Sequence, residues 1–277
     1  MNEFRSWKSY RDFADRVRRK TRYIRTPEDE EFLREVLRTS KSRIMDVPAG
    51  AGLWRAQLGH DWEPHCEGDR HIADSPGPYL PARMKPLPGR ATEGRANPKG
   101  IPVLYLSTHR KTAMSEVRPW LGSLVSCAHF RTTRDLQIVD FSVHHGSGFV
   151  LYFSEPDALE REEVIWRQID QAFSKPTTSA DDTASYVPTQ VIAELFRNEG
   201  YDGIAYKSAF GKNGYNVVLF DPADAELANC TLFDTKSLKF GFEQSGNPYW
   251  IDQASSTRTA HVADVKPIPP TQDESEP

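Results

Sequence analysis

The sequence predicts an α+β protein built on a largely antiparallel or mixed sheet. Three observations predict it. Short apolar runs suited to strands recur at 103–107, 124–130 and 136–141, and again in "DGIAYKS" and "NVVLF", with turn residues between them. Helical patterns with apolar residues three or four apart interrupt these runs irregularly rather than alternating with them. No internal repeat is present.

The chain has 277 residues, enough for one large domain with appendages or two small domains. Hydrophobic residues make up 38% and aromatics 11%, so a sizeable core is expected. A net charge of −4 gives no global electrostatic reason to bind nucleic acid or an acidic membrane, and neither is expected as a direct partner. No apolar run approaches the roughly 20 residues that cross a bilayer. The opening "MNEFRSWKSYRDF" lacks an apolar h-region, so no secretory signal is expected there. Cys66, Cys127 and Cys230 are odd in number and far apart, which argues for a reducing, cytoplasmic location rather than a disulfide framework.

In chain order, Phe4, Trp7, Tyr10, Phe13 and Val17 mark an amphipathic helix with a basic outer side, read as a solvated face or a docking surface. "RTPEDEEFLREVL" follows, with Thr26 as N-cap, Pro27 in the first turn and acids near the positive helix end. Residues 1–46 are therefore expected to be an N-terminal helical extension. A short strand is expected around Leu53 to Gln57. Residues 61–93, rich in Pro, Gly and charge, read as a covering loop. "SEPDALEREEVIWRQIDQAF" predicts a helix with Ser154 near its cap. "TQVIAELFRNEG" predicts another, capped by Thr189 and ended by Gly200. Residues 237–277 are expected to form a C-terminal segment, disordered after about 255.

Candidate chemistry sits in four places. Arg55, between Trp54 and Ala56 on an apolar strand, is either half of an internal ion pair or an anion clamp, because an unpaired buried charge is costly and a guanidinium fork matches phosphate oxygens. Arg95 lies in the turn "EGRANPKG", which is either a plain surface turn or a phosphate-facing loop. Tyr105 stands mid-strand and Glu116 is expected about a turn into a helix. The tyrosine could simply pack, and the glutamate could face solvent or pair with Arg110 or Arg118. Ser208 follows "DGIAY" and suits a turn or a ligand hydrogen bond. His60, His65, Cys66 and His71 match no metal-ligand spacing, so no metal is expected. There is no Walker loop, GxGxxG or GxSxG elbow.

Taken together, these places resemble the RES-domain family, named for its Arg, Glu and Ser. The matching pieces stand in order: "LWRAQLG" (53–59), "GRANPKGIPVLYLST" (94–108), "TAMSEVRP" (112–119), and "VPTQVIAELFRNEGYDGIAYKS" through "NVVLF" (187–220). By that match Arg55, Glu116 and Ser208 are the family's catalytic arginine, glutamate and serine, while Arg95 and Tyr105 join Arg55 and Ser208 in binding substrate. The resemblance implies an ADP-ribosyltransferase-like fold with flanking helices, and a RES domain over 47–236. It implies an enzyme that consumes NAD+ as substrate, without a prosthetic group, by splitting the nicotinamide–ribose bond as a glycohydrolase or phosphorylase. It also implies a toxin or growth-arrest effector, neutralised by an antitoxin protein that blocks the cleft. Mono-ADP-ribosylation of a protein, or simple binding of NAD+ or ADP-ribose, are the alternatives. Two positions depart from the family pattern: Ala56 and Ala96 stand where compact members carry aromatics.

Overall fold

The computed structural model describes residues 3–87, 89–146, 154–176, 183–210, 213–242, 250–251 and 258–259. Two compact units divide at Lys236, the first spanning Met1–Lys236 and the second Ser237–Pro277.

The first unit opens with α1 (Ser9–Arg19) and α2 (Pro27–Thr39). The expected first helix starts later than its periodicity suggested. Phe4 nonetheless joins the core, with its ring 5.8 Å from that of Phe32. At α2 the Thr26 hydroxyl accepts from the Asp29 N–H while the Asp29 carboxylate receives the Thr26 N–H, a reciprocal cap that supplies partners to two otherwise orphaned donors.

There follow β1 (Ile44–Val47), β2 (Gly52–Leu58), β3 (Asp61–Glu67), β4 (Arg70–Gly77) and the single-turn α3 (Pro81–Met84). Then come β5 (Leu104–Ser107), α4 (Arg110–Glu116), β6 (Leu124–Thr132), β7 (Leu136–Asp140), α5 (Ala158–Ser174) and α6 (Val187–Asn198). The unit closes with β8 (Gly203–Lys207), β9 (Tyr215–Leu219) and β10 (Ala225–Asp234). Eight of these strands form one sheet in the order β1-β7-β8-β9-β5-β2-β6-β10. Every pairing is antiparallel except β7–β8, the pair joined through α5 and α6. A parallel pair needs such a long crossover, whereas antiparallel neighbours do not. The mixed, mostly antiparallel sheet of an α+β protein is the fold class that the sequence predicted.

Alternation along the central strands divides the core into two. Val139, Ile204, Tyr206 and Val218 face the helices α1, α2, α5 and α6, around fully buried Phe13, Trp166, Phe173 and Phe196. Ile138, Ala205, Val217 and Leu219 face the opposite side with Phe130 and Met84. The N-terminal helices thus share one core with the helices of the crossover.

Three local expectations need correction. Residues 61–77 are a β-hairpin, not a covering loop, because β3 and β4 pair along their length. Nearly every side chain of the hairpin is exposed, so no apolar alternation marked it in the sequence. The cap of α5 is Asp157, which accepts from the N–H groups of Leu159 and Glu160, and not Ser154. Thr189 lies inside α6, its hydroxyl donating to the Tyr186 carbonyl. Gly200, at φ 88°, does end that helix in the left-handed conformation that favours glycine.

In the second unit β11 (Trp250–Ile251) pairs with β12 (Arg258–Thr259). The disorder expected after about residue 255 falls, apart from those two residues, outside the described residues. Among the described residues no helix is long and apolar enough to cross a membrane.

Candidate active site

The cleft begins where two strands part. β2 pairs with β6 along its length, but with β5 only at Trp54–Ser107. Beyond that single pair the sheet opens, and a cavity of about 470 Å³ lies between Arg55 on β2, Tyr105 on β5 and Glu116 at the end of α4. Gly94 and Arg95, Tyr186, Tyr206 and Asn216 complete its walls.

Glu116 is the last residue of α4, a helix of 7 residues, and not an interior one as expected. The chain turns away at once through Arg118, whose φ of 48° is a left-handed conformation costing a non-glycine residue about 1 kcal/mol. Two donors converge on one carboxylate oxygen. The Ser208 hydroxyl and the Asn216 amide each donate to Glu116 Oε1 at 2.6 Å. Asn216 is held in turn, its Oδ1 accepting from the Ser107 hydroxyl at 2.8 Å. Ser208 accepts the Phe210 N–H at 3.0 Å, and the Phe210 carbonyl, at 3.3 Å, is a longer alternative acceptor for its proton than the glutamate. Arg110 lies instead over the rings of Trp54 and Phe233, and Arg118 over that of Phe210. Oε2 takes no protein hydrogen bond among the described residues.

Arg55 resolves its alternatives differently. Its Nη1 donates to the Tyr105 carbonyl at 3.1 Å, its Nε is buried without a partner, and it enters no ion pair among the described residues. Burial pushes the guanidinium down to about 10. A cation that is desolvated, unpaired and lining a cavity is suited to an anion from outside the chain.

Arg95 also lines the cleft. One amino group donates to the Lys175 carbonyl, while its Nε is buried without a partner. Its loop is held from several directions. The Tyr105 hydroxyl donates to Asn97 Oδ1 at 2.8 Å and accepts the Ala96 N–H at 2.9 Å. The Asn97 amide donates to the carbonyls of Thr92, Pro98 and Ile101. From α6, Gln190 donates to the carbonyls of Gly94 and Asn97. Gly94 permits this packing, since a Cβ there would stand 2.5 Å from the Tyr105 hydroxyl. Burial raises both the Tyr105 and Tyr206 hydroxyls, the latter to about 12, so both remain proton donors at neutral pH.

Of the residues expected from sequence, Arg55, Arg95, Tyr105 and Glu116 line one cleft, and Ser208 stands behind Glu116 as its hydrogen-bond donor. The sequence reading missed Asn216, Ser107 and Gln190. Asn216 left one signal, an amide at the start of the apolar run "NVVLF". Of the two positions expected to depart from the family pattern, Ala56 lines the cleft, whereas Ala96 is buried in the core.

A family model described as RES domain matches residues 53–240. A solved structure, described as the crystal structure of the M. tuberculosis MbcT–MbcA toxin–antitoxin complex, aligns over 72% of this chain and 92% of that chain, with 14% identity and a TM-score of 0.40. No curated protein matches the chain.

Proposed function

The chain belongs to the RES-domain family, and from that premise we propose that it cleaves the nicotinamide–ribose bond of NAD+. The observation that carries the proposal is the Glu116 carboxylate, held at Oε1 by Ser208 and Asn216, in a cleft whose Arg55 has no carboxylate partner among the described residues. The arginines anchor the pyrophosphate, so that binding energy orients the reacting bond. Oε2 faces the anomeric carbon or a ribose hydroxyl. As the C1′–N bond breaks, its electron pair moves onto the cationic nicotinamide nitrogen, which leaves neutral and needs no general acid. The ribose becomes oxocarbenium-like, and the fixed carboxylate offsets that charge most strongly in the transition state. An acceptor oxygen from water or phosphate then attacks C1′ and loses its proton. Ser208 acts here through Glu116, and the Tyr105 ring forms a wall for the nicotinamide.

On this reading the protein is a toxin-like, cytoplasmic effector, and a protein that plugs the cleft would neutralise it. The test is incubation of the purified protein with NAD+, with and without phosphate, beside Glu116→Gln. Free nicotinamide with ADP-ribose identifies hydrolysis, and ADP-ribose 1-phosphate identifies phosphorolysis. Label transferred to protein would replace the proposal by ADP-ribosylation, and no turnover would leave a binding module.

A further inference from the structure

Among the described residues the hairpin of β3 and β4 is paired only with itself. Along β3 every residue after Asp61 is exposed, and along β4 only Ser75 and Gly77 are withdrawn from solvent. A two-stranded hairpin alone is marginally stable in water, because it has no covered face. This one also displays Trp62 at 64% exposure and Ile72 at 58%, and both outer strand edges are open. Its base is secured, with Asp61 accepting the Leu80 N–H at 3.0 Å and the Tyr79 hydroxyl donating to the Leu58 carbonyl. Beyond that base, most of the arm is exposed to solvent.

Its charge indicates which surface. Residues 61–77 carry Asp61, Glu63, Glu67, Asp69 and Asp74 against a single Arg70. The end of α1 and its connection to α2 have the opposite character. Residues 18–25 hold Arg18, Arg19, Lys20, Arg22 and Arg25 with no acid. In their midst Tyr23 is 95% exposed and Ile24 81%. Lys20, Arg22 and Arg25 enter no ion pair among the described residues, and none joins the arm to this connection within one chain. Each surface therefore combines two exposed apolar side chains with an excess of one charge, and the two signs are complementary.

We propose that the acidic arm of one copy docks on the basic α1–α2 connection of a second copy, with Trp62 and Ile72 packed against Tyr23 and Ile24. A two-fold arrangement makes this contact twice and closes, whereas a one-way arrangement would grow into a filament. The association covers the exposed hairpin and neutralises both charge clusters.

Sedimentation velocity on the full chain tests this. The expected result is a dimer whose dissociation constant rises about tenfold or more between about 0.05 M and 0.5 M salt, because exposed charges are screened over that range. Reversing the arm (Glu67→Lys, Asp69→Lys, Asp74→Lys) gives a monomer, and so does reversing the connection (Arg19→Glu, Lys20→Glu, Arg22→Glu). Mixing the two reversed proteins restores a dimer, because each arm then meets a connection of opposite sign. One chain carrying both reversals also dimerises, which excludes misfolding as the cause of the monomers. A monomeric parent at low salt overturns the proposal. So does a dimer indifferent to both reversals, or reversed variants that fail to recover on mixing.

Discussion

The Ser208 hydroxyl donates to Glu116 Oε1 at 2.6 Å, across 92 positions of sequence. The glutamate ends α4 and the serine directly follows β8, so two separate elements must be in place before the carboxylate is aimed. Removing the serine therefore disorients the glutamate without removing it. Ser208→Ala is expected to lower kcat for nicotinamide release by about 10–100-fold, the equivalent of one hydrogen bond to a charged group. KM should change little. An unchanged kcat would mean that Ser208 does not position the reacting carboxylate.

Glu116→Gln keeps the shape of the side chain but cannot offset a developing cation. The expected loss is on the order of 10²–10³ in kcat, with the thermal transition preserved. Turnover within about threefold of the parent would remove Glu116 from the chemistry.

Asn216→Asp places a second carboxylate where an amide now donates to Glu116 at 2.6 Å. Two carboxylates that close cannot both ionise readily, so they hold a proton to higher pH. The acid limb of the pH–kcat profile should shift upward. At high pH, repulsion between the pair should still leave activity below the parent. A profile superimposable on the parent would argue against Asn216 as a positioning residue.

Arg55 predicts both a residue effect and a pH effect. Arg55→Ala should weaken NAD+ binding more than Arg55→Lys, since lysine keeps charge but loses the paired donors. Burial lowers the guanidinium to about 10, and an anionic ligand favours its charged form. Affinity should therefore be full at neutral pH and decline as pH rises through about 10, less steeply in Arg55→Ala. Calorimetric titration of the folded proteins with ADP-ribose measures both.

Tyr105→Phe separates the ring from the hydroxyl. The ring remains as a cleft wall, but Ala96 N–H and Asn97 Oδ1 lose their shared partner. A cost of about 1–3 kcal/mol follows from the unpaired buried groups, seen as a fall of several degrees in Tm. KM should rise, because the loop that carries Arg95 loosens. A variant with unchanged Tm and KM would show that the loop is held by Gln190 and Asn97 alone.

The sequence by itself determined the strands of the sheet centre and the amphipathic helices, and it singled out Arg55, Arg95, Tyr105, Glu116 and Ser208 without joining them. The strands were legible because each central one is a short apolar run, and Arg55 and Tyr105 because a charged or hydroxyl side chain inside such a run stands out. The family resemblance alone assigned them to one site. Only the tertiary structure decided what those residues do to one another. Ser208 and Asn216 meet Glu116 because β8 and β9 pair antiparallel, with Tyr206 opposite Asn216. Arg55 is unpaired because β2 and β5 separate after one residue pair, and no periodicity records where two strands part. The hairpin of residues 61–77 stayed hidden for the converse reason. With both faces in water it needed no hydrophobic alternation, so backbone pairing alone defines it.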